Sequence, residues 1–170
     1  MFKKKRKVKL VVIIGCSRLG AQIAILNSES NANTVIIDQD AGAFKKLGQS
    51  FAGQKIEGNA EEKSILDKAK VTEATEVDVV TGDDETNIFL AAMILHFYDV
   101  PHIIVRIHDE DKCTLLMDKI YNEGDKKFHF VKNPRIDIIR PVSLSLSSYD
   151  HIRHLNDGDD VASLLGGDGK

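Results

Sequence analysis

Along this chain, apolar runs rich in valine and isoleucine alternate with stretches whose apolar residues recur every three or four positions. A short run dense in β-branched residues reads as a buried strand, and the longer period reads as an amphipathic helix. "KVKLVVII", Lys7 to Ile14, is the first predicted strand, and Leu19 to about Ser28 the first helix, with Leu19, Ile23 and Leu26 on one face. "NTVIID", Asn33 to Asp38, is the second strand, followed by a helix around Ala43 to Ser50. "QKIEG", Gln54 to Gly58, is a short third strand and "EEKSILDKA", Glu61 to Ala69, the next helix. "EVDVVTG", Glu76 to Gly82, is strand four, whose near-continuous valines suit burial on both faces. A helix from Glu85 to Phe97 turns Ile88, Ala91, Ala92 and Leu95 inward, and "PHIIVRI", Pro101 to Ile107, is strand five. "EDKCTLLMDKI" is a further helix and "IDIIRP", Ile136 to Pro141, a sixth strand.

Strands alternating with helices are the signature of a parallel sheet covered on both faces. The predicted fold is therefore α/β, a Rossmann-like doubly wound parallel sheet of about six strands with an extra C-terminal helix. Residues 7–141 form this body, with a basic leader over 1–9, a helix over 142–156 and an acidic, glycine-rich tail over 157–170. The interval 122–135, "NEGDKKFHFVKNPR", has no assignable period, although "FHFV" fits a hairpin arm.

Composition narrows the class. A chain of 170 residues, 42% hydrophobic and 29% charged, suits one compact soluble domain. Its longest clean apolar run, Leu10 to Ile14, is too short to span a bilayer, and the start lacks the apolar core of a signal peptide, so the expectation is a cytoplasmic protein. Cys16 and Cys113 form no CxxC, so free thiols are expected rather than a disulfide. A net charge of -3 argues against a general nucleic-acid binder. "KKKRKVK", Lys3 to Lys9, could meet phosphates or an anionic membrane, or act only as a solvated guard on the first strand's edge.

The chemistry begins at "VVIIGCSRLG". Gly15 closes the first strand and Gly20 sits in the first helical turn, so the chain turns sharply and the helix packs tightly. The helix N-terminus then presents unpaired N–H groups, a seat for phosphate. Asp38 answers this turn 23 residues after Gly15, at the end of strand two. A carboxylate there accepts from ribose hydroxyls and repels a 2′-phosphate, which favours NAD or an adenosine nucleotide over NADP; a plain turn residue is the alternative. Ser17 stands where a middle glycine is usual, and its hydroxyl either replaces a phosphate contact or obstructs one. Cys16 is either an activated thiol beside a helix N-terminus or ordinary packing.

Taken together, "GCSRLG", "VIID", "EGNA", "VVTGDDETN" and "IIVRI" resemble the regulator of potassium conductance family and its TrkA-type N-terminal nucleotide-binding domain, over roughly residues 7–141. The resemblance implies a cytosolic regulatory subunit of a potassium channel or transporter, bound peripherally at the inner face of the membrane through that partner. It implies binding of NAD, NADH, ATP, ADP or AMP, and self-association as a dimer or larger ring. It also implies phosphate contact at Gly15, Ser17, Arg18 and Gly20, ribose contact at Asp38, and neighbouring cofactor-binding positions at Cys16, Leu19 and Gln39. Asn59 and Ala60 fall near the adenine, Asn59 replacing the family's usual aspartate. Thr81, Gly82, Asp83 and Asn87 follow strand four, where the Thr81 hydroxyl reaches for phosphate and Asp83, Asp84 and Asn87 cap the next helix. Arg18 either meets a terminal phosphate or faces solvent; Arg106 serves the pocket or a neighbouring subunit, or makes an intrachain ion pair. With 29 residues after Pro141, the chain reads as a short form without the family's second ligand-binding subdomain.

No enzymatic activity is expected. The rival, a small NAD-dependent oxidoreductase, needs an acid or base such as a Tyr and Lys four apart, and Tyr98, Tyr121 and Tyr149 have no such lysine. A free-standing nucleotide or redox sensor remains a second alternative. His151 and His154 lack a third ligand, and "DGDD", Asp157 to Asp160, is not a full calcium loop, so no metal is expected.

Overall fold

The computed structural model describes residues 9–109, 111 and 135–140. The expectations for the basic leader, the 110–120 helix, Cys113, the 122–134 interval, the C-terminal helix and the tail lie outside these residues.

Six parallel strands form one sheet: β1 (Leu10–Ile14), β2 (Asn33–Asp38), β3 (Gln54–Glu57), β4 (Glu76–Val79), β5 (His102–Arg106) and β6 (Ile136–Ile139). Their order is β3-β2-β1-β4-β5-β6. The chain thus winds outward from β1 in one direction, then restarts at β4 on its other side. The carboxyl ends of β1 and β4 flank the point where the winding reverses, which in open α/β sheets is where ligands bind. Register sets Ile14 beside Ile37 of β2 and Val79 of β4, so the three strands end nearly level.

The helices are α1 (Arg18–Glu29), α2 (Lys63–Lys68) and α3 (Asp84–Phe97). Side chains alternate across the sheet, so each apolar strand feeds two cores. Val12, Ile14, Val77 and Val79 pack with Leu66 of α2 and Ile88, Leu90, Ala91 and Ile94 of α3. Val11, Ile13, Ile36 and Ile104 pack on the other face with Ala21, Ile23 and Ala24 of α1. Each such side chain fully buried is worth about 1.5–3 kcal/mol.

Some expectations shift. Among the described residues β1 begins at Leu10, with Lys9 outside it. The segment after β2 is a 3-10 helix, Ala41–Leu47, stopped by Gly48 at φ +67°, where the sequence pattern predicted a helix reaching Ser50. On α3, Ala92 and Leu95 are half-buried, while Asn87, Leu90 and Ile94 take the fully buried positions. A short 3-10 turn, Val71–Glu73, was not predicted.

Candidate functional site

The carboxyl ends of β1 to β4 surround a cavity of about 430 Å³. Its floor is the turn between β1 and α1. Gly15 adopts φ +103°, and a Cβ there would stand 2.7 Å from the Thr81 Cα, so only glycine lets the β1 and β4 ends approach this closely. Gly20 does not line the cavity; a Cβ on it would collide with the Gly15 carbonyl oxygen, and it serves by letting α1 seat against the turn.

Ser17 caps α1. Its hydroxyl accepts from the Gly20 amide at 3.2 Å and donates to the Val80 carbonyl at 3.0 Å, bracing the helix against the β4 end. The side chain therefore replaces no phosphate contact by its hydroxyl, which is spent within the protein. The amides of Ser17, Arg18 and Leu19 have no acceptor among the described residues. They are the orphan donors that a helix of 12 residues leaves at its start.

Asp38 forms the next wall. Its carboxylate accepts from the Cys16 amide at 2.6 Å and from the Asp40 amide at 2.9 Å, one bond on each oxygen. Across from it, Gln39 Nε2 reaches Asn59 Oδ1 at 3.5 Å, and that oxygen also takes the Glu61 amide at 3.0 Å. Asn59 thus retains the acceptor role of an aspartate without its charge. Ala60 is buried beside it on the cavity wall.

The opposite wall is Thr81, Gly82 and Asp83. The Thr81 hydroxyl donates to Asn87 Oδ1 at 2.6 Å, and its amide to the same atom at 3.0 Å. Thr81 is therefore tied back into the protein. Asn87, fully buried behind this wall, also donates to the Thr81 carbonyl at 3.2 Å and to the Arg106 carbonyl at 2.9 Å, knitting the β4 and β5 ends together. Asp83 caps α3 through the Thr86 amide at 2.7 Å. Asp84, expected to share in that cap, instead accepts from the His108 and Asp109 amides with its two oxygens, at 2.8 and 2.7 Å.

Ten of the fifteen sequence-predicted positions line this one cavity, and Arg18, Leu19, Gly20, Asn87 and Arg106 do not. Arg18 is exposed on α1. Arg106 donates from Nη1 to the Thr81 carbonyl at 2.8 Å, which makes it a brace for the wall, and its Nε is buried with no acceptor among the described residues. Among the described residues it makes no ion pair and does not line the cavity. Cys16 is buried at 1% exposure, with its thiol donating to the Ala43 carbonyl at 3.3 Å. Burial first, then the Asp38 charge, push its pKa up, outweighing Lys46 and Lys55, so the activated-thiol reading is corrected to packing.

The sequence reading missed Asp40, Lys46 and Thr86, which also line the cavity. Lys46 Nζ donates to the Cys16 carbonyl at 3.2 Å, reaching in from the 3-10 helix after β2. The one local hint was a lysine pair seven and eight residues past Asp38, a weak signal without the tertiary reach. Of the tyrosines considered for catalysis, Tyr98 is buried away from the cavity, donating to Asp67 at 2.7 Å.

The residues present fit an adenine nucleotide: a glycine turn on the cavity floor, a helix start there whose first amides are open, and a carboxylate on the adjoining wall. A family model described as the TrkA-N domain matches residues 11–123 of this chain. The Trk system potassium uptake protein TrkA of Streptomyces coelicolor is 30% identical over 105 residues, which are 62% of this chain and 47% of that protein. The chain thus spans about half the length of the curated relatives it matches. Among solved structures, the GsuK channel bound to NAD superposes with a TM-score of 0.55 at 15% identity, covering 67% of this chain and 20% of that one. The Kef CTD of Shewanella denitrificans in its AMP-bound form gives a TM-score of 0.58 at 13% identity, covering 92% and 86%. At these identities the two structures share the fold.

Proposed function

Since this chain belongs to the TrkA-N domain family, we propose that it is a cytosolic regulatory subunit that binds NAD(H) or ATP, ADP or AMP and so gates a membrane potassium transporter or channel. The observation that carries this reading is the meeting of two opposite polar features at one cavity: Ser17, whose open amide begins the α1 first turn that continues through the open Arg18 and Leu19 amides, and the Asp38 carboxylate. The amides suit an anionic phosphate bridge, and the carboxylate suits the diol of the adenosine ribose. The names of the relatives, a potassium uptake protein and a channel bound to NAD, support the choice of partner and ligand.

On this reading the chain performs no chemistry on its ligand. Nucleotides that differ beyond the adenosine half bind two arrangements of the assembly unequally, and that difference biases the pore. The assembly is a dimer or larger ring at the inner face of the cell membrane. Phe89 and Phe97, exposed on α3 at 53% and 56%, are the apolar surface offered for self-association.

The test is a thermal-shift panel of NAD, NADH, NADP, ATP, ADP and AMP on the parent and on Asp38→Ala. NAD and the adenosine nucleotides should raise the melting temperature of the parent more than NADP does. Asp38→Ala should weaken them about 10- to 100-fold, the worth of hydrogen bonds to a charged acceptor. An Asp38→Ala protein that responds as the parent does would remove the ribose assignment.

A further inference from the structure

Three carboxylates, Asp38, Asp40 and Asp83, face the cavity, and among the described residues that line it the single cationic side chain is Lys46. Resting on the nucleotide-binding reading above, we propose that Lys46 is the specificity-determining cation of this site: it pairs with the 5′-phosphate of the adenosine moiety and holds it against the amides that open α1.

Placement carries this assignment. Cys16 is gripped at both ends, its N–H by Asp38 and its carbonyl by Lys46 at 3.2 Å, and the peptides that follow it are those whose amides stand open. A sugar whose diol meets Asp38 therefore has its 5′ side directed along the turn toward Lys46 and α1. A phosphate on the 2′ position would instead be set against the Asp38 and Asp40 carboxylates. An ammonium carries three N–H donors, and Lys46 spends one of them on Cys16 among the described residues. The Cys16 peptide is already fixed through its amide, so an exposed lysine adds little to the turn by holding the carbonyl as well. Its charge matters more to a guest, because a phosphate entering a cavity walled by three carboxylates needs a nearby cation to offset them. Arg18, the arginine that the glycine-turn pattern offers for this purpose, does not line the cavity.

The experiment is calorimetric titration of 5′-AMP, 2′-AMP and adenosine into the full chain and its Lys46→Gln, Lys46→Met, Lys46→Arg and Arg18→Gln variants. Folding of each variant is checked by circular dichroism; Lys46→Met, which keeps the apolar stem, stands in if Lys46→Gln disturbs the fold. Charge removal at Lys46 should weaken 5′-AMP about tenfold and adenosine less than twofold, with Lys46→Arg close to the parent and Arg18→Gln unchanged. Equal loss of 5′-AMP and adenosine would make Lys46 a support of the turn and overturn the proposal. A loss confined to 2′-AMP, no loss at all, or transfer of the 5′-AMP effect to Arg18→Gln would overturn it too. A parent that binds none of the three, nor NAD, defeats the nucleotide reading itself, and the role of Lys46 falls with it.

Discussion

Strand β4 meets polar groups at both ends, and they are managed in opposite ways. At its start, Glu76 is 1% exposed and meets two side-chain partners: Lys9 donates to it at 3.0 Å, and His102 of β5 lies 3.1 Å away. The other ring nitrogen of His102 lies 2.8 Å from Asp137 of β6, so one ionic relay crosses three neighbouring strands. At the far end, Thr81 is held mostly through backbone groups, by Asn87 and by Arg106. A relay of paired charges ties neighbouring strands together; removing one member leaves its partner less well compensated. The carboxyl edge is braced instead through main-chain groups, and the proposed nucleotide would add its contacts to the α1 amides, Asp38 and Lys46 there.

Substitutions can sharpen this contrast, and the largest effect belongs to the carboxyl edge. Gly20→Ala drives a Cβ into the Gly15 carbonyl oxygen, which backbone alone can relieve. It should cost about 3 kcal/mol or more in urea unfolding, and a variant as stable as the parent would show that the turn is loose. Asn87→Ala comes next: it strips four hydrogen bonds from the β4 and β5 ends. A loss of about 2–3 kcal/mol is expected, with nucleotide affinity falling as the Thr81 wall relaxes; loss of stability with affinity intact would separate the brace from the site.

The smallest effect tests the amino edge. Burial pulls the His102 pKa down, but hydrogen bonds to Glu76 and Asp137, and their charges, outweigh it and hold it above 6.5. Its contribution is therefore complete below pH 6.5 and lost as pH rises through the folded value. For Glu76, burial pushes up, yet His102 and Lys9 prevail and hold it below 4.5, so its share is lost only as pH falls through that lowered value. His102→Gln should cost about 1 kcal/mol near pH 6, since Glu76 keeps Lys9. It should also flatten the decline in stability as pH rises above 6.5 through the raised folded value. Matching pH profiles for parent and variant would mean that the relay titrates elsewhere.

Most strands were legible because they are β-branched runs bounded by polar residues; Asn33–Asp38 matches its predicted bounds at both ends. Gly15, Gly20 and Asp38 were legible because a strand, a tight turn and a helix impose their spacing locally. What escaped depends on distant partners. "EVDVV" reads as a valine strand, and nothing within it says that Glu76 is neutralised by residues 67 positions before and 26 after. The 3-10 form of Ala41–Leu47 escaped because three residues per turn and 3.6 are hardly distinguishable over so short a span. Lys46 escaped for the same reason, its place in the cavity being decided by how that segment packs.

The double engagement of Asp38 bears on how this edge would respond to a visitor. Each oxygen already holds one amide and retains a second lone pair, so a sugar diol would find its acceptors aimed and would displace neither bond. Little reorientation is left to be done on that rim, and a guest should settle there quickly, with almost no shift in the turn. On the proposed regulatory reading, movement passed to a partner would start across the gap, where Thr81, Asn87 and Arg106 couple two strand tips through a few short bonds.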